Sequence, residues 1–159
     1  QQIFSPQTAY QITSMLKGVI ERGTGKGLKD LNLELAGKTG TTNKNTDTWF
    51  IGYTSNLVVG VYIGYDNPRS LGRFETGSKT AMPVFKDFIK NTANTYNARP
   101  FKVADNIKMM VIDANTGEKA NSRTKNSIIE AFKKIDDKSD ILTNNIDSRF
   151  NTSNILKFY

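Results

Sequence analysis

Between Leu33 and Pro68 the chain reads LELAGKTGTTNKNTDTWFIGYTSNLVVGVYIGYDNP, and this stretch leaves little freedom in how it can fold. Trp49–Tyr53 and Leu57–Tyr65 are apolar runs broken by Ser55-Asn56, which predicts a hairpin with strands over 48–54 and 57–65. In the second run Leu57, Val59, Val61, Ile63 and Tyr65 share one face, and Gly60, Tyr62 and Gly64 share the other. The glycine-bearing face is expected to lie close beneath a helix. Leu33–Thr42 precedes the hairpin as a third strand, over 33–42, so the centre of the fold is an antiparallel sheet. Trp49, Phe50 and Tyr53 are expected in its core.

Helices flank this sheet. Ser5-Pro6 is an N-cap followed by proline at the first helical position. Ala9, Ile12, Leu16, Val19 and Ile20 then recur at helical spacing, predicting a helix over 6–22 that Gly23 ends. RGTGKG after it reads as a flexible turn. Asp66-Asn67-Pro68 breaks the sheet. A second helix over 80–96 carries Ala81, Val84, Phe85, Phe88 and Ile89 on one side, with Pro83 admitted in its first turn. IKMMVID predicts a strand over 107–113, followed by a tight turn at Gly117, and SIIEAF is a short ordered piece. The fold class is α+β, with one domain over 1–132 and a polar, weakly patterned tail over 133–159.

The 159 residues include no histidine and no cysteine. That removes the commonest general base and thiolate chemistry, so any reaction must rest on Lys, Ser/Thr, Tyr or carboxylates. The net charge is +7, yet the excess is spread: twelve basic and seven acidic residues run through Pro100, ten and eight beyond it. Without a clustered stripe or stacking motif this reads as a solvated surface, not a nucleic-acid footprint. No apolar run is long enough to span a membrane. Gln1–Pro6 has neither the charged start nor the apolar centre of a signal peptide, and the chain reads as one cut from something longer.

Gly37-Lys38-Thr39 matches the last three positions of a phosphate-binding loop. That loop also needs a glycine where this chain has Asn32, and a helix where strands follow. The Gly23, Gly25 and Gly27 cluster follows a helix and reads as its cap and turn. Lys38-Thr39-Gly40 fits another chemistry. Acyl transfer through serine needs cationic and hydroxyl groups for an anionic substrate terminus, and backbone amides where the oxyanion forms. A strand at a cleft edge offers both, because a substrate can lie beside it as an added strand. Thr39 and Thr41 share one parity; Lys38 has the other and reaches the same cleft only if the strand twists along its rim.

Taken with SPQTAYQITSMLKGVIERGTGKGLKDL before it and GSKTAMPVFKDFI and VIDANTGEKA after it, the stretch resembles the C-terminal half of the transpeptidase domain of class A penicillin-binding proteins. The likeness runs from about Ser5 to Phe132. It implies part of the penicillin-binding-protein/β-lactamase-like fold, and a bacterial envelope enzyme on the extracytoplasmic face of the inner membrane, anchored by a segment absent here. By the same resemblance Lys38 belongs to the catalytic hydrogen-bond network, and the Thr41 amide is half of the oxyanion hole. Thr39 and Thr41 would hold the carboxylate of a D-Ala-D-Ala stem peptide or a β-lactam, and Gly40 leaves room for the acyl group. No cofactor or metal is implied. Thr42, Asn43 and Asn45, and Tyr65-Asp66-Asn67, read as turns.

Ser14-Met15-Leu16-Lys17 matches the S-x-x-K of such enzymes by letters. On a helical wheel at ~100° per residue Ser14 lies opposite the apolar stripe, facing solvent. Only 24 residues separate it from Lys38, and no S-x-N occurs. Ser14 is therefore read as a false match, and the nucleophile as missing from this chain. The chain alone is then expected to be inert, to need the N-terminal half of the domain, and to self-associate or expose an apolar patch through its uncovered strands. The alternative is a noncatalytic envelope module contacting peptidoglycan or a protein partner.

Overall fold

The computed structural model describes residues 1–96 and 99–134; of the tail expected over 133–159, all but Lys133 and Lys134 lies outside the described residues. Helix α1 (Pro6–Arg22) begins where Ser5 Oγ accepts the amide of Thr8 at 3.2 Å. It ends at Gly23, whose amide returns to Val19 O. The segment after Gly23 is more ordered than a flexible turn. Lys26–Leu31 wind into a 3₁₀ helix because Leu28 is drawn into the core, only 1% exposed. Asn32 closes it in the left-handed region, φ 53°, which asparagine tolerates better than most residues.

The sheet comprises β1 (Ala36–Thr41), β2 (Asp47–Tyr53) and β3 (Val58–Gly64), antiparallel and in that spatial order. β1 starts three residues later than the strand expected from 33, because Leu33–Leu35 lead into the core without pairing. Thr39 stands opposite Phe50, Gly40 opposite Trp49 and Thr41 opposite Thr48. Helix α2 (Ala81–Tyr96) covers the face that bears Phe50, Val59, Val61 and Ile63. There Phe50 and Phe85 meet with ring centroids 4.7 Å apart, both fully buried, beside Ile20, Leu28 and Ile89.

Three expectations are corrected by this packing. The helix lies on the aliphatic face of β3, not on its glycine face, because Val59, Val61 and Ile63 form an unbroken aliphatic row to bury, whereas the other face is interrupted by Gly60 and Gly64; Gly60 and Tyr62 are exposed. In α2 the inward line is Ala81, Met82, Phe85 and Ile89, while Val84 and Phe88 are exposed, so the buried stripe is narrower than the apolar one. Trp49 is not core: it has the opposite parity to Phe50 and stacks on Tyr62 at 4.8 Å on the open face, with Ile51 beside it half exposed.

Strands β4 (Ile107–Asp113) and β5 (Ser127–Lys133) form a separate two-stranded antiparallel ribbon, so SIIEAF is a full partner strand. The ribbon is tied to α1 by Gln11 Nε2, which donates to Ala131 O at 3.2 Å, and by Lys133 Nζ, which donates to Thr8 Oγ1 at 2.9 Å. No helix among the described residues is long and apolar enough to cross a membrane.

Glu34 joins α1 to the segment after α2. Its carboxylate accepts from Lys17 Nζ at 3.0 Å and from the amide of Phe101 at 2.8 Å. Partial burial raises its pKa, but the Phe101 amide and the Lys17 ammonium outweigh that, and the net shift is downward. A depressed carboxylate contributes stability above its unfolded pKa, about 4.3, and loses it as pH falls through the folded value. Glu34→Gln is therefore expected to cost about 1 kcal/mol at pH 7, discounted for solvent screening, and progressively less at a second, acidic pH as the carboxylate is protonated. Urea unfolding of both proteins at the two pH values checks this; an equal deficit at both would mean the charge is irrelevant.

Candidate active site

The residues of interest lie on β1, the edge strand of the sheet. The amide of Thr42 donates to Asp47 O at 3.0 Å, across to β2. In an antiparallel pair the direction alternates along the strand, so the amides of Gly40 and Lys38 also face β2 and those of Thr39 and Thr41 point off the free edge. Among the described residues neither of these two outward amides meets an acceptor. The whole of Gly37-Lys38-Thr39 is strand, which leaves no loop-to-helix junction to cradle a phosphate.

Lys38 crosses the parity barrier by curling over the rim. Its Nζ donates to Thr39 O at 2.9 Å and approaches Thr39 Oγ1 at 3.4 Å, so the ammonium sits on the edge shared by both threonines. Thr39 Oγ1 also lies 3.0 Å from Thr24 Oγ1, in the segment between α1 and the 3₁₀ helix. Thr41 is exposed, and its Oγ1 accepts the amide of Gly77 at 3.1 Å. The missing side chain of Gly40 would stand 3.2 Å from Trp49 Cβ, so glycine here first relieves a cross-strand contact. The edge thus gathers one ammonium, two hydroxyls and two unpaired amides, an arrangement suited to an anion bonded along an extended backbone.

The turn beyond β1 is built to hold its shape. Asn43–Asn45 form one 3₁₀ turn with Lys44 and Asn45 at positive φ. Asp47 accepts from Tyr62 Oη at 2.7 Å, Thr46 Oγ1 at 2.9 Å and Thr42 Oγ1 at 3.2 Å. Those bonds, Tyr62's foremost, hold the Asp47 carboxyl below its usual pKa and push the Tyr62 phenol up. Tyr65 lies past β3 with Arg69 stacked over its ring. Among the described residues no group of His, Cys, Asp and Glu could hold a metal ion.

Ser14 does not face open solvent, as its place on the helical wheel suggests. It is half buried and donates to Glu130 Oε2 of β5 at 3.2 Å. Lys17, three residues on, is bonded to Glu34, so the two members of the S-x-x-K match have separate acidic partners. The sequence marks Asn45 only as a turn residue and gives Gly77 and Thr24 no role. Their link to β1 spans distances along the chain that no local pattern reveals.

Comparison with known proteins agrees with this architecture. Residues 1–90 match the family of the penicillin binding protein transpeptidase domain. Penicillin-binding protein 1A of Rickettsia bellii is 48% identical over 141 residues, and that of Pseudomonas aeruginosa 39% over 137; each alignment covers 86% of this chain and 17% of the relative. The crystal structure of Penicillin-Binding Protein 1A from Haemophilus influenzae superposes with a TM-score of 0.70 at 30% identity, covering 80% of this chain and 20% of that one. The chain therefore spans about a sixth of the length of the curated relatives it matches, and with its α+β sheet and K-T-G edge it belongs to the penicillin-binding-protein transpeptidase family.

Proposed function

We propose that this chain forms the substrate-binding wall of a peptidoglycan D,D-transpeptidase that works through an acyl-serine. A serine Oγ outside these residues attacks the carbonyl between the two terminal D-alanines of a stem peptide. The C–O bond forms, the C–N bond breaks, and D-alanine leaves with the proton. An amine of a neighbouring stem peptide then attacks the ester, forms the cross-linking amide and restores the serine hydroxyl. β-Lactams acylate the same serine. The enzyme works on the extracytoplasmic face of the bacterial inner membrane, and no cofactor enters the reaction.

The observation that supports this reading is the grouping on the free edge of β1. The outward amide of Thr41 can bond the oxyanion, the hydroxyls of Thr39 and Thr41 can hold the terminal carboxylate, and Lys38 Nζ supplies charge at the same rim. Ser14 and Lys17 are committed to Glu130 and Glu34 and do not serve as the reacting pair. The chain alone is inert and acts with the N-terminal half of the domain.

A short acylated peptide ending in D-Ala-D-Ala tests the edge directly. Titrated into the isotope-labelled chain, it is expected to shift the Thr39 and Thr41 amides, and its C-terminal amide counterpart is expected to shift them far less. Equal shifts from both peptides, or shifts confined to the β4–β5 ribbon, would sink the assignment.

A further inference from the structure

Segment 71–80, between β3 and α2, is seated on the far end of β1 by bonds that neither the fold nor the K-T-G pattern requires. Asn45 grips it from the turn. Its Nδ2 donates to Glu75 O at 2.7 Å and to Arg73 O at 3.3 Å, and its own carbonyl accepts the amide of Leu71 at 2.8 Å. At the other end Thr80 Oγ1 lies 2.6 Å from the buried Thr48 Oγ1 of β2. Between these anchors is Gly77, pressed so closely onto the sheet that an added Cβ would stand 2.4 Å from Trp49 O and 2.6 Å from Gly40 O. Only glycine fits there, and its amide meets Thr41 Oγ1 at 3.1 Å.

That single contact decides what the Thr41 hydroxyl can do. A hydroxyl carries one proton and two lone pairs, and a backbone amide can only donate. With the Gly77 amide filling one lone pair, the Thr41 proton takes one of the two remaining directions and can be given to an acceptor placed at the exposed edge. A loose segment would let the hydroxyl rotate and accept from solvent as readily as donate. We propose that Asn45 is a positioning residue for substrate recognition: by fixing segment 71–80 it holds the Gly77 amide on Thr41, and so keeps the Thr41 hydroxyl a donor for an anionic group on the acyl donor. The selectivity is for a carboxylate over a neutral ester at the same place. This rests on the transpeptidase reading above.

The test uses the complete enzyme containing this chain, with benzylpenicillin and its methyl ester as paired acylating agents. Asn45→Gly keeps the positive φ and removes both side-chain donors; Asn45→Asp removes them while retaining the shape, and serves if the glycine variant folds poorly. The expected result is a loss of about tenfold in the second-order acylation rate with benzylpenicillin, the size of one hydrogen bond to a charged group. The rate with the ester is expected to stay within about twofold of wild type, with the melting temperature little changed. Equal losses with both agents would reduce Asn45 to a structural role and overturn the inference, as would no loss with either. A wild-type enzyme acylated by neither agent would overturn the transpeptidase reading itself, and the inference with it.

Discussion

Thr41→Pro in the complete enzyme is expected to lower acylation by penicillin by about 10²–10³-fold, the usual effect of removing one oxyanion-hole donor. The sheet is expected to survive the change. The Thr41 amide points off the free edge of β1, so no ladder bond is lost, and proline is admitted on an edge strand whose amide faces outward. Lys38 lies at the alternate position, with its amide turned toward β2. Lys38→Pro therefore removes a ladder bond and is expected to lower the melting temperature by several degrees, at roughly 2–4 °C per kcal/mol for a domain of 150–250 residues. Thr41→Val separates the two groups on Thr41, because it keeps the amide and loses only the hydroxyl; a loss of about tenfold is expected. If proline at 41 slows acylation no more than valine does, the amide has no oxyanion role.

The parts legible in the sequence are those set by local pattern. The alternation in Leu57–Tyr65, the break at Ser55-Asn56 and the Ser5-Pro6 start each act within a few residues, and each leads to an element of the structure. The K-T-G edge is readable because the groups proposed to bind substrate belong to consecutive residues of one strand. The illegible parts depend on which neighbour arrives. Val84 and Phe88 are as apolar as Phe85 and Ile89, and only the position of the sheet against α2 decides which pair is buried. The glycine face of β3 invites a helix on the ground that glycine permits close approach. Permission is weaker than the drive to bury Val59, Val61 and Ile63.

Ser14 teaches the same lesson about partners. Its helical angle is measured against an apolar stripe that includes Ile12, which is exposed, while β5, whose Glu130 accepts from Ser14, comes from more than 110 residues away along the chain. Asn45 reads as a turn former, and its positive φ agrees with that. Its bonds to Arg73 and Glu75 are invisible in the turn's own residues, because they depend on segment 71–80 folding back over β1.

A fluorescent penicillin tests most directly the proposal that this chain carries the K-T-G wall of a transpeptidase but not the serine it serves. Incubated with the chain alone, the reagent is expected to leave no covalent label. Combined with the N-terminal half of the domain, it is expected to label a serine on that half, and the label should fall away when Lys38 is replaced by alanine. Covalent label on the isolated chain, mapped to Ser14 by peptide mass, would contradict the account.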